Sequence, residues 1–165
     1  MLSELENYHR RIVDLRKQIY ELVEGLPAEA LNWRPLPDTG EVNSLAILAA
    51  HVAGSEHFWI GEVVGRLPAT RDREAEFATT APDAESLVRL LKATGAETDQ
   101  VFAHLVSSDL NGVREARGRT VAVRWCILHV VDHTALHLGH MQLTYQLWQG
   151  GQGAASPFWY ERLPR

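Results

Sequence analysis

Between Thr120 and Gln149, four of the chain's eight histidines recur with a cysteine as Cys126-x2-His129-x3-His133-x3-His137-x2-His140. Imidazoles and thiols are the side chains that ligate transition metals and move protons near neutral pH. On a helix turning about 100° per residue, with Cys126 as zero, the four histidines fall at roughly 300°, 340°, 20° and 320°, a stripe about 80° wide. Arg124, Gln142, Gln146 and Gln149 fall between about 140° and 200°. That side takes the water, so the histidines are expected to point inward.

A buried imidazole without partners loses about 1 to 3 kcal/mol of hydrogen bonding, and a metal ion is one partner that offsets the loss. Residues four apart on a helix hold their Cβ atoms about 5 to 6 Å apart, so two imidazoles can reach one ion at about 2.0 to 2.1 Å. His129/His133 and His133/His137 both have this spacing, and spacing does not choose between them. A third ligand must come from another element, for which His51, in the middle of its own helix, is the best-placed candidate. Three histidines leave a coordination position open to water or substrate, whereas four protein ligands close a structural site. The donor set suits zinc or nickel first, with iron, manganese or copper as alternatives. The zinc-protease pattern is missing, because Val130 follows His129 and Thr134 follows His133 where glutamate is required. His129 and His140 are expected to line the pocket or transfer protons. Cys126 reads as a buried inert thiol, the tryptophans as core, and His57 and His104 as surface residues.

These groups need helices to hold them. Leu5, Tyr8, Ile12, Leu15, Ile19, Leu22 and Val23 recur at helical spacing, predicting a first helix over residues 3–24 that stops at Gly25. Residues 26–43 hold Pro27, Pro35, Pro37 and Gly40 and read as a long connection with at most one helical turn at 28–33. Asn43 or Ser44 caps a second helix to about Val64, apolar nearly all round. Residues 66–81 read as a loop, and Asp83 caps a third helix to about Val106. A weak hairpin signal at 107–119 precedes the histidine helix, which Thr120 is expected to cap and Gly150, Gly151 and Gly153 to end. Phe158, Trp159 and Tyr160 should bring the tail back onto the body. The expectation is an all-α chain, one domain over 1–165, folded as a four-helix bundle with long crossover connections.

A chain of 165 residues with 45% apolar content can bury a proper core. A net charge of −5 without a basic run argues against a nucleic-acid partner. The charged amino terminus and the absence of an 18-residue apolar run predict no signal peptide and no membrane span, hence a cytoplasmic protein with one cysteine and no disulfide. Leu128, Val131, Ala135 and Leu138, placed between about 120° and 200°, form an apolar strip expected to pair two copies as a homodimer.

Leu31-Asn32-Trp33-Arg34-Pro35, Asn43-Ser44-Leu45-Ala46 leading to His51-Val52-Ala53-Gly54 with Glu56 and Trp59, and His129-Val130-Val131-Asp132-His133-Thr134-Ala135-Leu136-His137-Leu138-Gly139-His140 occur in that order. Together they resemble the DinB-like superfamily, related to the mycothiol-dependent maleylpyruvate isomerases, over roughly residues 5 to 149. The resemblance implies a four-helix bundle with a divalent metal on one histidine of the second helix and an i, i+4 pair of the last, which land on His51, His133 and His137. It also implies a small-molecule substrate and a low-molecular-weight thiol cosubstrate, in thiol transfer, isomerisation or hydrolysis. His140 stands where many relatives carry glutamine, which alters the polarity of the pocket. The rival expectation is a non-catalytic stress-response or binding module of the same fold, its metal structural or missing.

Overall fold

The computed structural model describes residues 3–36 and 42–151. Helix α1 spans Glu4–Val23 and opens with a reciprocal cap: the Ser3 hydroxyl accepts from the Glu6 amide at 3.2 Å while the Glu6 carboxylate accepts from the Ser3 amide at 2.6 Å. Gly25, at φ +75°, takes the left-handed turn that ends it. A short helix α2, Ala28–Asn32, lies in the connection that follows. Helix α3, Leu45–Glu56, starts where the Ser44 hydroxyl accepts from the Ile47 amide, and it continues as a wider π-helical segment over His57–Val64. Periodicity could not report that change of pitch, because this stretch is apolar on every side.

The connection after α3 is more than a loop. Asp72 caps a helix α4, Arg73–Phe77, by accepting from the Ala75 amide at 3.0 Å. Asn32 ties this crossing to α2: its side-chain amide donates to the Ala81 carbonyl and accepts from the Ala81 amide, each at 2.8 Å. Helix α5, Ala84–His104, is capped by Asp83 as expected. After a 3₁₀ turn at Ser107–Asn111, strands β1 (Val113–Ala116) and β2 (Arg119–Ala122) pair antiparallel around Arg117 and Gly118, both at positive φ. Thr120 lies in β2 opposite Glu115 and does not cap the histidine helix. Helix α6, Val123–Trp148, instead begins where the Val123 amide donates to the Gly112 carbonyl at 2.9 Å. Gly150 and Gly151 turn out of it at φ +71° and +83°, while Gly153 and the aromatic tail lie outside the described residues.

The four long helices close a ring in which α1 contacts α6, α6 contacts α3, α3 contacts α5 and α5 contacts α1. Sequence neighbours α1 and α3, and likewise α5 and α6, therefore lie diagonally, which is why both connections are long. Among the described residues, no helix is long and apolar enough to cross a membrane. The core face of α6 is Val123, Ile127, Val130, Leu138 and Met141. Leu138 is 5% exposed, and Val131 and Ala135 pack against the core. The strip expected to pair two copies is thus mostly spent inside one chain. Leu128 alone of its four residues is exposed, alongside Trp125, Leu136, Leu143 and Leu147 on a neighbouring face.

Buried charge links three of the four helices. Arg16 on α1 donates to both carboxylate oxygens of Glu56 on α3, at 2.6 and 3.3 Å, and the Thr98 hydroxyl on α5 donates to the same carboxylate. A Cβ at Gly95 would come within 2.3 Å of an Arg16 nitrogen, so the glycine makes room for the guanidinium. Removing one member of such a pair strands the other charge in low dielectric. Glu56→Ala is expected to cost about 3 to 5 kcal/mol in urea unfolding; a change under about 1 kcal/mol would mean that the pair is solvated.

Candidate metal centre

His51 sits mid-way along α3, and the α3–α6 seam brings it to His133 and His137, one turn apart on α6. One ring nitrogen from each lies within 4.8 Å of the others, an arrangement that could hold a metal ion. The two Nε2 atoms of His51 and His133 are 3.1 Å apart. Nitrogens bound to one ion at about 2.0 to 2.1 Å with tetrahedral or right-angle geometry stand about 2.8 to 3.4 Å from each other, so this pair already has ligand spacing. The donor set also fits chemically, because metal-ligating imidazoles must be neutral. Burial, reinforced by the neighbouring histidines, pushes His133 down to about 3 and His137 down to about 4.

The far nitrogens differ. Nδ1 of His133 and of His137 are buried without a hydrogen-bond partner. Nδ1 of His51 meets the Glu76 carboxylate at 2.8 Å, and Arg71 grips that carboxylate through Nε at 2.6 Å and Nη2 at 3.0 Å. Burial alone would raise the Glu76 carboxyl, but the hydrogen bonds from Arg71 and His51 outweigh it and hold the group below the usual carboxylate range. Glu62 in turn accepts from the Thr70 and Arg71 amides at 2.6 and 2.7 Å, fixing the chain that carries Arg71. Neither Arg71 nor Glu76 was singled out from the sequence, since residues 66–81 read as loop. Asp72 followed by Glu74 and Glu76 is a helix-start signature that would have marked the place.

The histidine stripe lies along the edge of the buried face of α6 rather than at its centre. His133 and His137 are half-buried and His140 is exposed. His129 is half-buried outside the cluster, its ring 5.6 Å from that of His133, stacked on Trp125 at 4.9 Å and met edge-on by Trp59 at 5.2 Å. The ring of His140 is 5.4 Å from that of His137. Cys126 is fully buried and its thiol is pushed up to about 11 by burial, as an inert core thiol requires. His104 is exposed as expected, whereas His57 is half-buried between Glu97 at 2.7 Å and Thr70 at 2.9 Å. None of the described tryptophans is fully buried. Trp33 lines a trough of about 740 Å³ with Leu36, Val42, Leu48, Leu143 and Leu147, and His137, His140, Asn43 and Thr144 are its polar lining. Among the described residues that line it, none carries a carboxylate, an ammonium or a guanidinium.

The depressed histidines carry a pH consequence for the metal-free chain. Unfolded histidine titrates near 6.5, so as pH falls the unfolded chain takes up protons before folded His133 and His137 do, and stability rises with pH through this window. The contribution is whole above about pH 6.5 and is lost as pH falls toward 4 and 3, the values of the folded groups. Urea unfolding of chelator-treated protein should show this decline, and it should be shallower in a His133→Gln/His137→Gln double variant; an equally steep decline in both would contradict the assignment.

Comparison with known proteins agrees with the helical fold. A conserved protein from Enterococcus faecalis superposes with a TM-score of 0.72 at 15% identity, covering 91% of this chain and 99% of that one. A DinB-like protein from Bacillus cereus superposes with a TM-score of 0.72 at 12% identity, covering 92% and 96%. At those identities the likeness speaks for the fold, a DinB-like helical bundle. No curated protein matches the chain. The model of one family, described as mycothiol-S-transferase, matches residues 8–150, from the second turn of α1 to just past the end of α6, and takes in all three clustered histidines: the chain belongs to the mycothiol-S-transferase family.

Proposed function

We propose that His51, His133 and His137 hold a divalent metal ion, zinc or nickel in the first place, and that the protein is a cytoplasmic thiol S-transferase joining a low-molecular-weight thiol to a small electrophile. The observation that carries this reading is the convergence of three imidazoles from two helices, each nitrogen within 4.8 Å of the others, beside an apolar trough that reaches His137. A divalent cation bound there supplies Lewis-acid stabilisation of a thiolate, or of hydroxide, at neutral pH. The chain's own part is threefold. His133 and His137 stay neutral, so they offer lone pairs rather than charge. The trough takes the apolar body of the electrophile, since an uncharged lining of this kind favours apolar surface leaving water. His140, exposed at the trough edge, or His129 on the other flank, takes the thiol proton and returns one to a leaving group.

Balanced as a reaction, a carbon–sulfur bond forms at the electrophilic carbon, the bond to the leaving group breaks with its electron pair, and the thiol proton is released. The test is turnover of an aryl chloride with mycothiol by metal-loaded protein. Turnover should be metal-dependent and should fall at least about 100-fold in His133→Ala, as expected for a lost metal ligand, with the circular dichroism of the bundle retained. Retained turnover in that variant would overturn the proposal.

A second reading has one observation in its favour. The 3.1 Å contact between His51 and His133 can be a hydrogen bond between two neutral imidazoles, which would tie α3 to α6 in a non-catalytic binding or stress-response module. In that case His133→Ala lowers the melting temperature of metal-free protein and no thiol is consumed under any metal. The homodimer expected from the sequence would need the exposed Trp125, Leu136, Leu143 and Leu147 face of α6 in place of the strip first assigned to it. Light scattering should then give twice the mass of 18.5 kDa, and Leu136→Glu should return the mass of one chain; a single-chain mass for the unaltered protein would remove the pairing.

A further inference from the structure

The connection between α3 and α5, among the described residues, makes its direct hydrogen bond to His51 of the cluster. Among the described residues, Glu76 meets Nδ1 of His51, while the corresponding nitrogens of His133 and His137 have no partner. Helix α3 is shaped for that contact. Gly54 lies three positions beyond His51, and a Cβ there would come within 2.1 Å of a Glu76 carboxylate oxygen. Any side chain at position 54 would therefore push the carboxylate away. Arg71 grips the same carboxylate through two nitrogens, and Phe77, the residue after Glu76, lays its ring 4.8 Å from that of His51.

We propose that Glu76 is a positioning residue for His51: it accepts a hydrogen bond from Nδ1–H, which keeps the proton on that nitrogen and leaves the Nε2 lone pair aimed at His133 and His137, and Gly54 and Arg71 exist in this geometry to let the carboxylate in and to hold it. An imidazole whose Nδ1–H is bonded to an anion can offer only Nε2, with its ring plane fixed, and is the more basic for it. The inference rests on the metal reading above for its consequence, but the tautomer it assigns to His51 exists whether or not an ion is bound. It also gives the crossing at residues 66–81 a task, since Asp72 starts α4 at the point that puts Glu76 over α3.

Two measurements test it. Nitrogen NMR of metal-free protein should show His51 as the Nδ1–H tautomer, with that preference lost in Glu76→Ala. Zinc affinity, measured by competition with a chromophoric chelator, should fall about 10- to 100-fold in Glu76→Ala, the range for loss of an outer partner, and by less in Glu76→Gln, which keeps an acceptor oxygen. Gly54→Ala separates positioning from stability. Alanine favours the helix over glycine, yet here it should weaken zinc binding by displacing the carboxylate, without lowering the melting temperature of metal-free protein. Zinc affinity within two-fold of the unaltered protein in Glu76→Ala and Gly54→Ala, or an Nε2–H tautomer at His51, would overturn the proposal. If the unaltered protein bound no zinc while the tautomer changed as described, the metal reading would fall and the positioning role would stand.

Discussion

Burying imidazoles in a helix seam is tolerable only while they stay neutral and find something to bind with their lone pairs. Everything around the cluster follows from this constraint. Water is kept off by the packing of α3 against α6, which depresses His133 and His137 and keeps each ring neutral, with one N–H and one lone pair. Two of the far nitrogens remain unsatisfied inside the protein. Three neutral imidazoles, of which His51 and His133 bring their Nε2 atoms to 3.1 Å, gain little from hydrogen bonding among themselves, since each shared proton serves only one pair. A cation shared by all three would give the converging lone pairs one common partner.

Rigidity of that seam comes from charge placed elsewhere. Glu56, five residues along α3 from His51, is locked to Arg16 and Thr98, so α3 is fixed against α1 and α5 before it meets α6. Just beyond, the helix widens into its π segment, where Gly61 lets the Glu97 carboxylate approach and His57 bonds to Glu97 and Thr70. That cluster secures the start of the crossing which carries Arg71 and Glu76 back over His51. Wider helical turns of this kind recur at functional sites, and here the widening sits one turn from the carboxylate contact.

Much of this was legible in the chain before any coordinates. The caps expected at Asn43 or Ser44 and at Asp83, with the strong periodicity of α1 and α5, marked three of the four long helices, and the histidine spacing placed His133 in either possible pair on the last one. Other features were hidden for physical reasons. Helix α6 is weakly amphipathic, with Leu136, Leu143 and Leu147 turned outward and Leu138 inward, so a wheel drawn from polarity alone turned the histidines further toward the core than they sit and assigned the pairing strip to buried residues. Thr120 looked like a cap because hairpin strands of four residues leave little periodic signal. Glu76 was out of reach because its partner is 25 positions away and its helix is only five residues long. The choice of His137 over His129 as the second ligand on α6 needed the family resemblance, since both pairs share the same spacing.

The proposed chemistry depends on three imidazoles sharing one cation. X-ray absorption on protein reconstituted with zinc tests it most directly. The prediction is one ion per chain with a shell of nitrogen and oxygen donors at about 2.0 to 2.1 Å and outer-shell scattering that requires three imidazole rings, one of them lost in His51→Ala. A zinc-free protein after reconstitution, or a spectrum that one imidazole or none explains, would contradict it.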